Sequence, residues 1–159
     1  MTEPARRGDP SWARYPDTVL EIYRDGVMRF DLRKPLEASD RGTLRELGLG
    51  HTFAVVTAAN PRGRQVGEAE NHLRAEQLDD AVVARGMRFL RADGTSPEGL
   101  HREVGVAIAA SQADACELAR RFEQSALFWF DGDRFWIVPV LEAGKQPLAL
   151  PVTATEKGT

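Results

Sequence analysis

The sequence lacks a second cysteine, because Cys116 is the only one among 159 residues. A disulfide framework needs pairs of cysteines, so none can form within this chain. The thiol lies among apolar positions of a helical pattern and is most simply a core residue. A lone thiol is typical of proteins from a reducing compartment, and we therefore expect a cytoplasmic protein.

Long hydrophobic runs are also missing. The longest apolar stretches, around 53–59 and 104–110, fall far short of the roughly 18 residues that a membrane-spanning helix requires. Residues 1–16 carry charge and proline without the apolar segment of a signal peptide, so we expect a flexible tail there. No membrane partner is expected.

An excess of positive charge is absent too. The net charge of -3 and the pI near 5.7 argue against a nucleic-acid binder, which needs basic residues to neutralise phosphates. With 42% hydrophobic and 28% charged residues, the composition is that of an ordinary globular protein. We expect one domain over residues 17–141, followed by a C-terminal tail over 142–159.

Two stretches favour β-hairpins, because runs of apolar and β-branched residues flank an Asp-Gly dipeptide in each. The first comprises 19–23 and 27–32 around Asp25-Gly26, and the second comprises 125–130 and 134–138 around Asp131-Gly132. In the first hairpin the alternation leaves one polar face. A short helix is expected between residues 34 and 50.

The stretch 52–59 is apolar at both parities, which indicates a central strand covered on both faces. Pro61 ends this strand, since it pushes Asn60 out of the α region and cannot donate to a ladder. A helix is predicted from about 67 to 85, and its apolar stripe turns polar at Asn71 and Arg74. The strand end and this polar stripe are therefore expected to face each other.

Strands at 87–91 and 103–110 and a helix at 111–122 complete the pattern. In the second strand the bulky valine and isoleucine side chains share one face, and Glu103 lies on the other face with small residues. The order from residue 52 onward is β-α-β-β-α-β, the split arrangement of ferredoxin-like folds. We predict an α+β fold with this ferredoxin-like core, an added N-terminal hairpin and a C-terminal strand.

Four short motifs in this order are similar to those of a bacterial family known as domain of unknown function 3293. They are Thr57-Ala58-x-Asn60-Pro61, Glu70-Asn71, His101-x-Glu103 and Phe122-x-Gln124. The resemblance extends from about residue 15 to residue 138 and implies site positions without implying a reaction. The family often has an aromatic residue two positions before the acid, where this chain has His101.

We expect a polar pocket at the Asn60 end of the strand. The amides would orient a small polar or singly anionic ligand, and Arg74 would meet its charge. In the loop that follows, the charges of Arg62 and Arg64 are roughly offset by Glu68 and Glu70, which disfavours a polyphosphate. The expected ligand-binding residues are Asn60, Arg62, Glu70, Asn71, Arg74 and Gln124.

Two alternatives remain open. Glu103 could act as a general base with His101 as its partner, which would make the protein a hydrolase or a transferase. The polar cluster could instead be purely structural, with Glu103 paired to an arginine, in a protein-interaction module. No metal or other cofactor is expected, because two candidate ligands are too few for a closed metal site.

Overall fold

The computed structural model describes residues 10–142 and 144–152. Of the predicted tails at 1–16 and 142–159, residues 1–9, 143 and 153–159 therefore lie outside the described residues. Within these residues, short 3₁₀ helices occur at Pro10–Asp17 and Pro61–Gly63. The remaining elements are β1 (Val19–Tyr23), β2 (Val27–Asp31), α1 (Ala38–Arg45), β3 (Phe53–Thr57), α2 (Glu68–Ala84), β4 (Phe89–Thr95), β5 (Arg102–Glu103), β6 (Gly105–Ile108), α3 (Gln112–Arg121), β7 (Ala126–Phe130), β8 (Phe135–Pro139) and β9 (Leu148–Ala149).

The strands form one antiparallel sheet in the order β2-β1-β4-β6-β3-β7-β8-β9, and the short β5 pairs with β4. Helices and strands therefore share one unit, which confirms the predicted α+β class. None of the helices in the described ranges combines the length and hydrophobicity that a membrane span needs.

Strand β3 lies inside the sheet between β6 and β7, and both of its faces are buried, as its apolar pattern predicts. On one face, Phe53 and Val55 join a core with Leu44 of α1. On the other face, Ala54 and Val56 join a core formed with α2 and α3. The helices of this second core contribute the buried residues Leu78, Val82, Ala115, Leu118 and Ala119.

The first and last described segments pack against the sheet. Residues 10–17 form a 3₁₀ helix, and its Tyr15 ring packs edge-on against Phe128 with centroids 6.0 Å apart. At the other end, β9 extends the sheet by pairing with β8. Both additions cover the core that contains Phe53, because their aromatic and leucine side chains pack onto it.

The strand predicted at 103–110 is also different, because it divides at Val104 into β5 and β6. Gly105 follows the break and lies against three atoms of neighbouring strands. A Cβ added there would meet the Val56 carbonyl oxygen at 2.5 Å, Cγ2 of Thr57 at 2.7 Å and the Ala92 carbonyl oxygen at 3.0 Å. Two of these neighbours are backbone atoms, so the position has no room for a side chain.

Gly105→Ala is therefore expected to lower the free energy of unfolding by about 2 kcal/mol, the usual cost of overpacking a buried site. Gly42→Ala is the matched control, because Gly42 lies inside α1 and a Cβ there meets nothing within 4 Å. That variant should be at least as stable as the wild type, since alanine favours helices. Urea denaturation of both variants measures the difference, and equal stabilities would contradict the close packing at Gly105.

Candidate functional site

The end of β3 is set by the backbone of Asn60, which adopts the left-handed conformation with φ 47° and ψ 66°. Asparagine tolerates this region better than most residues because its short side chain bonds locally. Arg62 and Glu123 also have positive φ, at 55° and 59°. Three non-glycine residues with positive φ thus lie at the two segments that meet here, and such strain often marks functional sites.

Asn60 and Asn71 form a paired set of amide hydrogen bonds. The backbone N–H of Asn60 donates to Oδ1 of Asn71 at 2.9 Å, and Nδ2 of Asn71 donates to Oδ1 of Asn60 at 3.0 Å. The same Oδ1 of Asn60 accepts the backbone N–H of Val66 at 3.1 Å. Asn71 therefore fixes the left-handed turn to the first turns of α2.

Arg74, one turn further along α2, is half-buried and binds two backbone carbonyl groups. Its Nε donates to the oxygen of Ala58 and its Nη2 donates to the oxygen of Phe122. The guanidinium group thus joins the end of β3 to the end of α3 through these two carbonyl groups. Its role in the fold is to satisfy these carbonyl groups.

Glu103 reaches the same strand end from β5. Its Oε2 accepts Nδ2 of Asn60 at 3.1 Å, and its Oε1 lies 3.4 Å from the hydroxyl group of Thr57. That hydroxyl group has one proton and donates it at the shorter distance of 2.9 Å to Oε1 of Gln124. Asn60 is therefore one of the groups that orient the carboxylate.

Gln124 is buried, and both the oxygen and the nitrogen of its side-chain amide group form hydrogen bonds. Its Oε1 accepts from Thr57, and its Nε2 donates to the carbonyl oxygen of Ala59 at 3.0 Å and to that of Phe122 at 3.3 Å. These bonds set the orientation of the amide group. Gln124 thus connects the segment after α3 to the end of β3.

A cavity of about 250 Å³ opens beside this network, on the face of the sheet away from α2 and α3. Its apolar wall includes Leu20, Val55 and Phe128. The polar residues that line it are Arg14, Asp17, Thr18, Thr57, Gln65, Thr95, Ser96, Glu98, His101, Glu103 and Gln124. An apolar wall with a limited polar set is typical of small-molecule sites.

The charged groups around the cavity are predominantly acidic. Three carboxylates line it, those of Asp17, Glu98 and Glu103, whereas Arg14 supplies the arginine of the described lining. Arg33 lies near Asp17 and Glu98, but its guanidinium group binds both carboxylate oxygens of Asp31, at 2.9 and 2.7 Å. This hydrogen bonding lowers the pKa of Asp31 to about 2. The local field therefore favours a cation or a hydrogen-bond donor over an anion.

The structure divides the predicted site residues into two groups. Glu103, Gln124 and the exposed His101 line the cavity. Asn60, Asn71 and Arg74 belong to the connected network behind it.

Arg62 and Glu70 differ from both groups. Arg62 points to Glu123, with its Nε 3.0 Å from the carboxylate, and Glu70 is exposed on α2. The expectation that Arg74 is available to meet a ligand's charge does not fit this geometry, because its donors already bind carbonyl groups.

The sequence interpretation missed the cavity residues from the 3₁₀ helix, such as Arg14 and Asp17, because no local pattern in that segment indicates a cavity. Thr57 was contained in the first motif and could have been chosen on that signal. Of the described histidine, cysteine, aspartate and glutamate side chains, no three are grouped so as to hold a metal ion.

The sequence interpretation also missed a charged network on the polar face of β1 and β4. Glu21 and Asp93 are directly opposite each other in the register, and both are buried. Nη1 of Arg102 lies 2.8 Å from Oε1 of Glu21 and 2.7 Å from Oδ2 of Asp93. Arg29 and Arg91 bind one acid each from the outside, at 2.6 and 2.9 Å. Arg102 therefore offsets the repulsion of two facing carboxylates.

Hydrogen bonding and charge from Arg102 hold the pKa of Glu21 below its ordinary value of 4.5, although burial opposes this shift. A carboxyl group whose pKa is lowered by folding contributes stability above its unfolded pKa. That contribution is lost as the pH falls through the lower pKa of the folded state.

Arg102→Met should lower the free energy of unfolding at neutral pH by about 2 kcal/mol, because it leaves two buried carboxylates without their shared partner. Arg29→Met is the control and should cost less, since Arg29 binds Glu21 alone and is more exposed. The difference between wild type and Arg102→Met should shrink as the pH falls below about 4.5. Urea denaturation of both proteins from neutral pH to below about 4.5 measures this difference in stability. A difference that does not change with pH would contradict the electrostatic explanation.

Arg74→Met should destabilise the protein by about 1 to 3 kcal/mol, because the carbonyl groups of Ala58 and Phe122 each lose a hydrogen bond from the guanidinium group. Arg64→Met is the comparison, since Arg64 is exposed in the same region and the substitution is chemically identical. Thermal unfolding followed by circular dichroism measures both. A stability loss at Arg64 as large as that at Arg74 would contradict the role assigned to Arg74.

Comparison with known proteins gives one match. Residues 56–127 match the family model described as Protein of unknown function (DUF3293), and this span contains every predicted site residue. Neither a search of curated proteins nor a search of solved structures finds a match. The confirmed span is shorter than the 15–138 suggested by the motifs. Residues 56–127, which hold the whole strand-end network, are thus similar to the DUF3293 family of proteins of unknown function.

Proposed function

We propose that the protein binds a small polar ligand in the cavity beside Glu103. One observation carries this proposal: the carboxylate of Glu103 and the apolar side chains of Val55 and Phe128 line the same cavity of about 250 Å³. The carboxylate is oriented there by its hydrogen bond from Asn60. A ligand with an apolar body and a polar end would place the two parts against matching surfaces. Binding sites for small molecules commonly combine these features.

The charge of the lining supports a ligand that donates hydrogen bonds. Carboxylate groups only accept them when ionised, and three carboxylates line the cavity beside one arginine in the described part. An amine, an amide or a hydroxyl group is therefore favoured over the singly anionic ligand that the sequence also allowed. Arg14, at the rim, remains the group that could meet an acceptor on the same ligand.

A catalytic role is the second candidate, supported by the presence of His101 and Glu103 on the same cavity wall. Glu103 would remove a proton from water or from a substrate hydroxyl group, and His101 would assist the transfer. A hydrolase or a transferase can be told from a simple binding protein by the chemical state of the compound recovered after incubation. A substrate would be recovered changed after incubation, whereas a bound ligand would be recovered intact.

We also propose that the core is ferredoxin-like and that the protein is cytoplasmic and of bacterial origin. The strand order β4-β6-β3-β7, antiparallel throughout, supports the first proposal because it follows the split arrangement. The lone cysteine supports a reducing compartment. The motif resemblance supports the bacterial origin.

The ligand proposal is tested with three probes that share a benzene ring: benzylamine, benzyl alcohol and benzoate. In titrations followed by ¹H,¹⁵N correlation spectra, benzylamine and benzyl alcohol should shift the amide signals of residues around Thr57 and Glu103. Benzoate should bind more weakly, because the lining is acidic. Equal or stronger binding of benzoate would contradict the proposed ligand class.

Glu103→Gln should weaken benzylamine binding roughly tenfold, the scale of one charge-assisted hydrogen bond. Glu70→Gln is the matched control, because it makes the same chemical change at an exposed position of α2. Binding in that variant should equal that of the wild type. If both variants bind benzylamine like the wild type, the ligand does not contact Glu103.

A further inference from the structure

A second cavity, of about 230 Å³, lies on the opposite face of the sheet from the first. It is formed where the start of α3 meets the β7–β8 hairpin and the segment before β9. Its lining residues are Gln112, Trp129, Asp131, Trp136, Val138 and Pro147. None of these residues lines the cavity beside Glu103, so the two sites are distinct.

Two indole rings supply much of the wall. Trp129 in β7 and Trp136 in β8 are direct partners in the antiparallel register, so their side chains leave the sheet on the same face. Both are half-buried and pack against the core beneath α3. Packing holds the rings in place, while part of each ring stays accessible from the cavity.

Asp131 adds a fixed carboxylate beside the rings. Its Oδ1 accepts the backbone N–H groups of Asp133 and Arg134, both at 2.8 Å, and its Oδ2 accepts the indole Nε1–H of Trp136 at 2.7 Å. Burial raises the pKa of Asp131, but these hydrogen bonds outweigh it and hold the pKa below its usual range. The carboxylate is therefore ionised near neutral pH, and it also orients the Trp136 ring.

The lining has no positive charge of its own among the described residues. Arg134 follows in the same turn, but its side chain is exposed and does not line the cavity. Lys145 is engaged elsewhere, with its ammonium group 4.9 Å from the centre of the Trp12 ring. Two indole side chains and one carboxylate thus line the cavity without a cation from its described wall.

From this arrangement we propose that the cavity between Trp129, Trp136 and Asp131 binds the cationic head of a small alkylammonium compound. Indole faces attract such cations through the ring quadrupole, and quaternary ammonium groups are commonly recognised in aromatic cages. The apolar surfaces of Val138 and Pro147 suit the methyl groups that such a head carries. A metal ion fits poorly, because calcium and magnesium need several oxygen ligands and one carboxylate lines the cavity.

The test uses choline and its neutral carbon isostere 3,3-dimethylbutan-1-ol, which has the same shape without the charge. Both are titrated into the full-length protein while the indole N–H signals of the three tryptophans are followed by ¹H,¹⁵N correlation spectra. Trp136→Phe assigns the Trp136 signal by its disappearance. Choline should shift the Trp129 and Trp136 signals, and the isostere should leave them in place.

Two variants test the parts of the site separately. Trp129→Leu keeps apolar bulk but removes one π face, and Asp131→Asn removes the charge at nearly constant size. Each should weaken choline binding roughly tenfold, the scale of a partly desolvated cation–π contact. Trp12→Leu is the control, since Trp12 lies outside this cavity, and it should bind choline like the wild type.

The proposal is overturned if choline moves none of the three indole signals, or if the neutral isostere binds as tightly as choline. Unchanged choline affinity in Asp131→Asn would overturn it as well. Should Trp129→Leu lose its folded spectrum, Asp131→Asn and the isostere still decide the question. Failure of this site leaves the Glu103 cavity untouched, because the two share no lining residue.

Discussion

The amide pair between Asn60 and Asn71 is the interaction on which the rest of the site depends. It holds a non-glycine residue in the left-handed conformation, and every polar group of the Asn60 side chain is then used. Its oxygen accepts from α2 and from the loop at Val66, and its nitrogen donates to Glu103. One residue therefore connects a helix, a loop and a strand, and a change at Asn60 would release all three.

The residues that hold the strand end in place differ from the residue that lines the cavity. Behind the strand end, Asn71 forms hydrogen bonds with Asn60, and Arg74 donates to backbone carbonyl groups. Glu103, which they help to position, is the one that reaches the cavity wall. Nε and Nη2 of the half-buried Arg74 bind carbonyl oxygens, and Arg74 does not line the cavity, whose charged lining is mainly acidic.

Local pattern was enough to predict a buried strand within 52–59, because that stretch is apolar at both parities. The helical period of 3.6 residues was enough to predict that Asn71 of the next helix faces the strand end at Asn60. The cavity could not be predicted in the same way. Its wall combines Leu20, Val55 and Phe128 from three strands with Tyr15 from the 3₁₀ helix, and no local pattern encodes that approach. The pairing of Glu21 with Arg29 could have been predicted from the sequence, because the hairpin turn at Asp25-Gly26 fixes their register.

The position of the cavity follows from the sheet itself. Strand β3 presents Thr57 and Val55 to one face and Val56 to the other, so the helices that support Asn60 and the space that Glu103 lines lie on opposite sides. The break between β5 and β6 makes this possible, because Gly105 lets the strands close against Val56 while Glu103 reaches the network around Asn60. A ligand that bonds to Glu103 would therefore act on the same amide group that anchors α2. One chain of hydrogen bonds therefore runs from Glu103 in the cavity wall through Asn60 to Asn71 in the first turns of α2.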